Sequence, residues 1–376
     1  MGNEALNPSP LNSVHEALGA TFTDFAGWKM PVRYSSDLQE HKAVREHAGI
    51  FDLSHMGEIH VSGPQAAEAL DNALAGRLSA IGVGRAKYSL LLTEDGGVLD
   101  DVITYRLAED RFLVIANASN VRADYEALLA RADGFDAEVT DDSAAYALVA
   151  VQGPDSADIL TRAIAGDLTG ISAEDIAEVG YYRFVEGTYG GSPLLVARTG
   201  YTGEDGFELY VAVEHAEALW NILVETGGDS LTPCGLACRD TLRLEAGMPL
   251  YGNELGTDVL PAQAGLGRVV ALKTKGDFVG RAAVEQAAAE ATERRVLVGL
   301  TGEGRRAARA GSALKDADGT EIGEITSGAL SPTLGHPIAM AYIDPAHREV
   351  GTRIVADVRG KDLPMTVTDL PFYRRG

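Results

Sequence analysis

Only two cysteines occur in 376 residues, Cys234 and Cys238, too few for a disulfide framework, and their scarcity points to a reducing compartment. Their CxxxC spacing has no partner ligands around it, so packed thiols are expected there rather than a metal. Basic residues are also scarce: 32 Lys and Arg stand against 55 Asp and Glu, a net charge of −23. Such a surface repels nucleic acid and anionic membranes, so neither is expected as a partner. No apolar run approaches the roughly 18 residues of a membrane span. The start, Met1-Gly2-Asn3-Glu4-Ala5-Leu6, carries no basic or apolar leader and misses the myristoylation pattern at Leu6, so the expected location is the cytoplasm.

Familiar site motifs are missing too. The eight histidines are scattered and never form HExxH or another ligand spacing, so no metal is expected. Gly265-Leu266-Gly267 lacks a third glycine and a preceding strand, which excludes a dinucleotide fingerprint. No nucleophile elbow of the GxSxG kind occurs. Neither flavin nor nicotinamide is expected.

What is present exceeds one ordinary core, so two or three domains are expected. Helical patterns cover 13–20 and 35–48, the second closing at Gly49 in the manner of a C-cap. The aromatic-rich D-F-A-G-W-K-M-P-V-R-Y between them reads as loop or strand, and 51–63 as one strand. Strands and helices then alternate with short hairpins, an α+β texture, and a second module begins near Ala144. After about residue 280 short strands split by turns such as Asp316-Ala317-Asp318-Gly319 read as a small all-β barrel. The expected domains are therefore 1–143, 144–279 and 280–376.

The stretch G-G-V-L-D-D-V-I-T-Y-R-L, residues 96–107, reads as a strand leaving a hairpin turn. Alternation groups Asp100 with Val98, Val102, Thr104 and Arg106, and Asp101 with Leu99, Ile103, Tyr105 and Leu107. Asp101 is thus expected on the apolar face, desolvated, either as a structural acceptor or as a carboxylate that handles protons.

Further along, R-T-G-Y-T-G-E-D-G-F-E-L-Y carries three glycines but no lysine, and fits a tight hairpin better than a phosphate loop. Alternation sets Glu208 beside Tyr210 and opposite Phe207 and Leu209, where a carboxylate could receive paired N–H donors from a flat heterocycle. In C-G-L-A-C-R-D-T-L-R-L-E-A-G-M, Arg239 and Arg243 stand one helical turn apart. They form either a surface ion-pair lattice of little worth or a grip on an anion or polar ring.

Six stretches carry a resemblance: D-F-A-G-W-K-M-P, F-D-L-S-H-M-G-E, G-G-V-L-D-D, R-T-G-Y-T-G-E-D-G-F-E, R-L-E-A-G-M-P-L-Y-G and G-E-I-T-S-G-A-L-S-P-T-L-G. In this order, over nearly the whole length, the chain resembles the aminomethyltransferases of the glycine cleavage system, the T-proteins. The resemblance implies an α+β, three-domain cloverleaf: two α+β folate-binding domains and a C-terminal β-barrel around a central folate channel. It implies transfer of the one-carbon unit from the aminomethyl-dihydrolipoyl arm of lipoylated H-protein to tetrahydrofolate, giving 5,10-methylenetetrahydrofolate, ammonia and dihydrolipoyl H-protein. Asp101, second of the two acids, matches the catalytic carboxylate; Glu208 matches the pterin-binding acid and Arg239 a folate contact. Tyr88, Tyr181, Tyr201, Asn117 and Met56 fall at pocket-lining positions, and Tyr373 and Arg374 match a tail that returns to the ligand. Arg243 keeps its surface-lattice reading. Met248 stands where some relatives carry an aromatic, a departure that bears on pocket shape. Two rival readings share the scaffold: a tetrahydrofolate-dependent demethylase, and a non-enzymatic folate-binding iron–sulfur assembly factor. The latter carry a cysteine in the loop occupied here by R-T-G-Y-T-G-E-D-G-F-E.

Overall fold

The computed structural model describes residues 5–289 and 294–375; Met1–Glu4, on which part of the leader reading rests, lie outside the described residues. The chain divides into two compact units, and neither is one continuous stretch. The first comprises Met1–Ala67, Ala80–Lys87 and Ile103–Asp240; the second Glu68–Ser79, Tyr88–Val102 and Thr241–Gly376.

In the first unit a six-stranded sheet runs in the order Phe184–Tyr189, Ser192–Ala197, Gly206–Ala212, Tyr146–Gln152, Ala48–Asp52, Leu231–Pro233. All neighbours are antiparallel except the last pair. Alternation sorts its side chains. Phe207, Leu209 and Val211 join Val149, Val151 and Val196 in a core covered by Ile159, Leu160, Leu219, Trp220 and Leu223 of the helices Ser156–Ile164 and Ala216–Gly227. Glu208 and Tyr210 therefore project from the opposite face, as the sequence pattern requires.

Two expectations change, and one is sharpened. Residues 51–63 are not one strand: Ala48–Asp52 belongs to the six-stranded sheet, and Gly57–Ser62 pairs with Arg111–Ala116 and Glu138–Asp141 in another. The break falls at 53–56, where Met56 N donates to Leu53 O at 2.9 Å. Gly49 is not a helix cap. The helix Asp37–Glu46 ends earlier, and Gly49 sits within a strand where a Cβ would lie 2.5 Å from Val44 Cγ2 and 2.7 Å from Cys234 Sγ. Close packing, not left-handed geometry, selects glycine there. The aromatic-rich segment resolves into a hairpin, Thr21–Phe25 against Trp28–Arg33. Its turn residues Ala26 (φ 52°) and Gly27 (φ 82°) are both left-handed, matching the strand twist.

The second unit holds a closed six-stranded barrel, in the order Val296–Gly302, Pro337–Ile343, Glu321–Leu330, Ala313–Lys315, Arg353–Asp357, Asp362–Thr368. Inward-facing Leu300, Ile325, Ala339, Ala341, Ile354 and Val367 fill it, in agreement with the expected C-terminal barrel. The same unit contains the hairpin turn 93–97 that leads into Val98–Ala108. Thr93 N donates to Gly97 O at 2.8 Å, and Val98 N reaches Val259 O at 3.0 Å. A Cβ on Gly97 would fall 1.8 Å from Thr257 O, so only glycine lets the 257 backbone lie against this turn. Arg243 lies in this unit as well, and it is no surface lattice. It is 1% exposed, bonded to Glu254 at 3.0 Å and to Ser327 at 2.7 Å.

Candidate active site

In the first unit the loop R-T-G-Y-T-G-E-D-G is shaped from beneath by Gln152. Its amide donates to Thr199 O at 3.1 Å, and its carbonyl accepts from Thr202 Oγ1 at 3.0 Å. A Cβ on Gly200 or Gly206 would strike this side chain, at 2.0 and 2.5 Å. Both acids of the loop are taken: Glu204 pairs with Arg45 at 2.9 Å, and Asp205 receives two bonds from Arg198, at 2.8 and 2.6 Å. The glycines thus build a hairpin and no phosphate cradle, as the sequence indicates.

Glu208 is buried at the end of this loop, in register with Ala150 and Ala197. Thr199 Oγ1 donates to its Oε2 at 2.5 Å. Burial raises its pKa, while the Thr199 bond and the Arg239 charge act downward. Arg239 stacks its guanidinium 4.9 Å above the Tyr201 ring. Burial lowers its pKa, against the opposing pull of Glu208. One donor, Arg239 Nη1, is shielded from solvent and has no hydrogen-bond partner. A buried guanidinium nitrogen left unpaired is costly, and its natural complement is a ligand oxygen.

Around this core the structure places Tyr181, a residue 62% exposed, whose pKa is raised by desolvation and then by Glu208. Its neighbour Tyr182 holds a left-handed φ of 59°, an unfavourable conformation for an aromatic residue. The two rings meet edge to face at 4.8 Å. Strain of this kind persists only where surrounding bonds enforce it; here Tyr182 N donates to Arg198 O at 3.0 Å and Ala86 N to Tyr182 O at 2.8 Å. Met56 and Asn117 are half-buried at turns, Asn117 accepting at its carbonyl from Asn120 N at 2.8 Å.

The second unit carries Asp101, and here the expected phase is reversed. Asp100 is fully buried and Asp101 only half-buried: the row Val98, Asp100, Val102, Thr104 is the dry one. The row with the more polar residues is the sealed one, so composition along the strand does not say which face is covered. Tyr88 Oη donates to Asp101 Oδ2 at 2.9 Å, joining two of the sequence-selected residues. Tyr373 N donates to Glu245 O at 2.8 Å, and Arg374 is exposed.

Sequence alone does not single out His55, Thr199 or Tyr105. His55 is buried, its Nδ1 without a partner; burial lowers its pKa to about 4 against the upward pull of Asp52, with the Arg239 charge a smaller downward cause. Its position inside F-D-L-S-H-M-G-E was the available signal.

The residues 11–274 match the family described as the GCVT N-terminal domain, and 295–374 match the glycine cleavage T-protein C-terminal barrel domain. The chain is 61% identical to an aminomethyltransferase of Cutibacterium acnes, over 98% of this chain and 99% of that one. Its identity to an aminomethyltransferase of Streptomyces coelicolor is 57%, over the full length of both. Among solved structures it is similar to the glycine cleavage system aminomethyltransferase T from Bartonella henselae, with a TM-score of 0.90, 39% identity and 98% coverage of each chain.

Proposed function

The chain belongs to the glycine cleavage T-protein family, and from that premise we propose how its residues divide the work. It is an enzyme, an aminomethyltransferase of the glycine cleavage system. The observation that carries this is the full-length match to aminomethyltransferases. The family acts with H-protein and uses tetrahydrofolate as a substrate. For this chain the proposed donor is the aminomethyl group held through sulfur on the dihydrolipoyl arm of H-protein. Tetrahydrofolate takes the carbon as 5,10-methylenetetrahydrofolate; ammonia leaves, and the arm is released as the dithiol.

Asp101 is the proposed catalytic carboxylate. Loss of ammonia from the aminomethyl thioether leaves a cationic carbon, and the attacking folate nitrogen must shed protons. Asp101 orients that nitrogen, stabilises the positive charge and assists the proton movement. Tyr88 fixes the rotation of its carboxylate. Glu208 accepts the two parallel N–H donors of the pterin's amidine-like edge. The unpaired Nη1 of Arg239 supports a role as donor to a ring oxygen, over Tyr201. Tyr181 is exposed, and the strained Tyr182 backbone supports its presentation to a ligand. Met56, Asn117, Tyr373 and Arg374 are proposed as further folate contacts. Division into domains at 1–143, 144–279 and 280–376 is proposed as well, supported by the barrel match beginning at 295.

Among the described residues no helix is long and apolar enough to cross a membrane. The cytoplasm is the proposed compartment, supported by two free buried thiols.

The test mixes the chain, tetrahydrofolate and aminomethyl-loaded H-protein, and follows ammonia and methylenetetrahydrofolate together. Equal yields of both are expected. Carbon transfer without ammonia would point instead to a demethylase, and folate binding with neither product to a non-enzymatic factor.

A further inference from the structure

Behind Glu208 runs a chain of three hydroxyls. Thr199 Oγ1 donates to Glu208 Oε2 at 2.5 Å, Tyr105 Oη lies 3.1 Å from Thr199 Oγ1, and Tyr210 Oη donates to Tyr105 Oη at 3.2 Å. All four side chains are buried. Thr199 has one proton and gives it to Glu208, so the next bond must run from Tyr105 to Thr199; Tyr105 then accepts from Tyr210. Every O–H in the series points towards the carboxylate.

We propose that Thr199, Tyr105 and Tyr210 form a relay that holds Glu208 ionised and fixed in rotation, so that its remaining lone pairs face the pterin edge. They are positioning residues, and the proposal rests on the reading of Glu208 as pterin acceptor. A protonated Glu208 would bring an O–H donor to a ligand edge that itself offers two N–H donors, so the ionised form is the one that binds. Burial works against that form and leaves the Glu208 pKa raised; the Thr199 bond acts in its favour, and each further donor in the series polarises the next.

The charged and titratable groups facing Glu208 are few. Arg239 comes from the helix Leu236–Glu245, Tyr105 from the strand Val98–Ala108, Tyr210 from its own strand and Tyr181 from the loop before Phe184–Tyr189. At the far end Tyr210 feels Glu58, whose pKa burial raises well above the usual carboxylate range. Edge contacts of Tyr105 with Tyr210, at 5.6 Å, and with Phe184, at 5.7 Å, lock the phenol in place.

Tetrahydrofolate binding to the full chain is measured across pH for the native protein and for Thr199→Val, Thr199→Ser, Tyr105→Phe, Tyr210→Phe and Glu208→Gln. Thr199→Val and Tyr105→Phe are expected to bind natively at high pH, but to lose affinity on acidification about one pH unit earlier. Tyr210→Phe shifts less, Thr199→Ser restores the native profile, and kcat at saturating folate and high pH stays within about twofold. Glu208→Gln binds about a hundredfold more weakly, with no acid limb. A uniform loss of affinity at all pH values in Thr199→Val and Tyr105→Phe, or an unmoved acid limb, overturns the relay while leaving Glu208 as pterin acceptor. Native folate binding in Glu208→Gln overturns both.

Discussion

Tyr88 Oη donates to Asp101 Oδ2 across 2.9 Å, a phenol from one arm of a hairpin holding a carboxylate on the other. Asp101 is half-buried, while its neighbour Asp100 is fully buried. The pair separates two tasks: Asp100 belongs to the interior, and Asp101 is presented with its rotation fixed.

Asp101→Asn should keep the fold and folate affinity but lose turnover by roughly a hundredfold to ten-thousandfold. Tyr88→Phe should lower kcat about tenfold, the worth of one bond to a charged acceptor. Folate affinity, circular dichroism and the ammonia yield separate these effects; near-native turnover in Asp101→Asn would remove the carboxylate from the mechanism.

Gly97→Ala should destabilise the protein by about 3 kcal/mol, because its methyl would meet Thr257 O at 1.8 Å and the backbone must yield. Urea unfolding measures the loss. An unchanged midpoint would mean that the turn adapts without cost.

Glu58 is buried with Oε1 unpartnered, and burial, then the charge of Asp141, raises its pKa well above 4.5. The folded state keeps a proton that the unfolded chain surrenders above that value. Stability contributed by this group therefore falls as pH rises, by about 1.4 kcal/mol per unit until the folded pKa is reached. Glu58→Gln should flatten that slope, seen as a smaller loss of Tm between acid and neutral pH. An identical slope in the variant would place the titration elsewhere.

His55 titrates in the opposite sense. Its folded pKa of about 4 lies below the ordinary 6.5, so the unfolded chain takes up a proton first. Its stabilising contribution is intact above about pH 6.5 and is lost as pH falls towards 4, roughly 3 kcal/mol in all. His55→Asn should be relatively less destabilised at acid than at neutral pH. Proton NMR should find the His55 ring neutral at pH 6; a midpoint near 6.5 would contradict the buried setting.

Much of this was legible in the chain because alternation is a local rule. Phe207 and Leu209 turned one way and Glu208 and Tyr210 the other, from sequence and in the fold alike. The same rule misplaced the dry face at Asp100 and Asp101, since it gives phase but not which side is covered. Arg243 could not be read as buried, because its partner Ser327 comes from 84 residues away. Thr199 and Tyr105 both lie in conspicuous stretches, but 94 residues separate them, and only the fold brings their hydroxyls together. Gly49 was misassigned because a glycine that avoids a collision looks, in sequence, like one that ends a helix.

The threading of the chain through its two units also limits how the protein can be taken apart. Glu68–Ser79 and Tyr88–Val102 fold with Thr241–Gly376, although the intervening stretches fold with the rest of the N-terminal half. No single scission liberates either half intact, so a nick anywhere in the exposed loops should leave two fragments that stay associated or fail together. Recombination between relatives would have to exchange three separate stretches at once to move one unit whole.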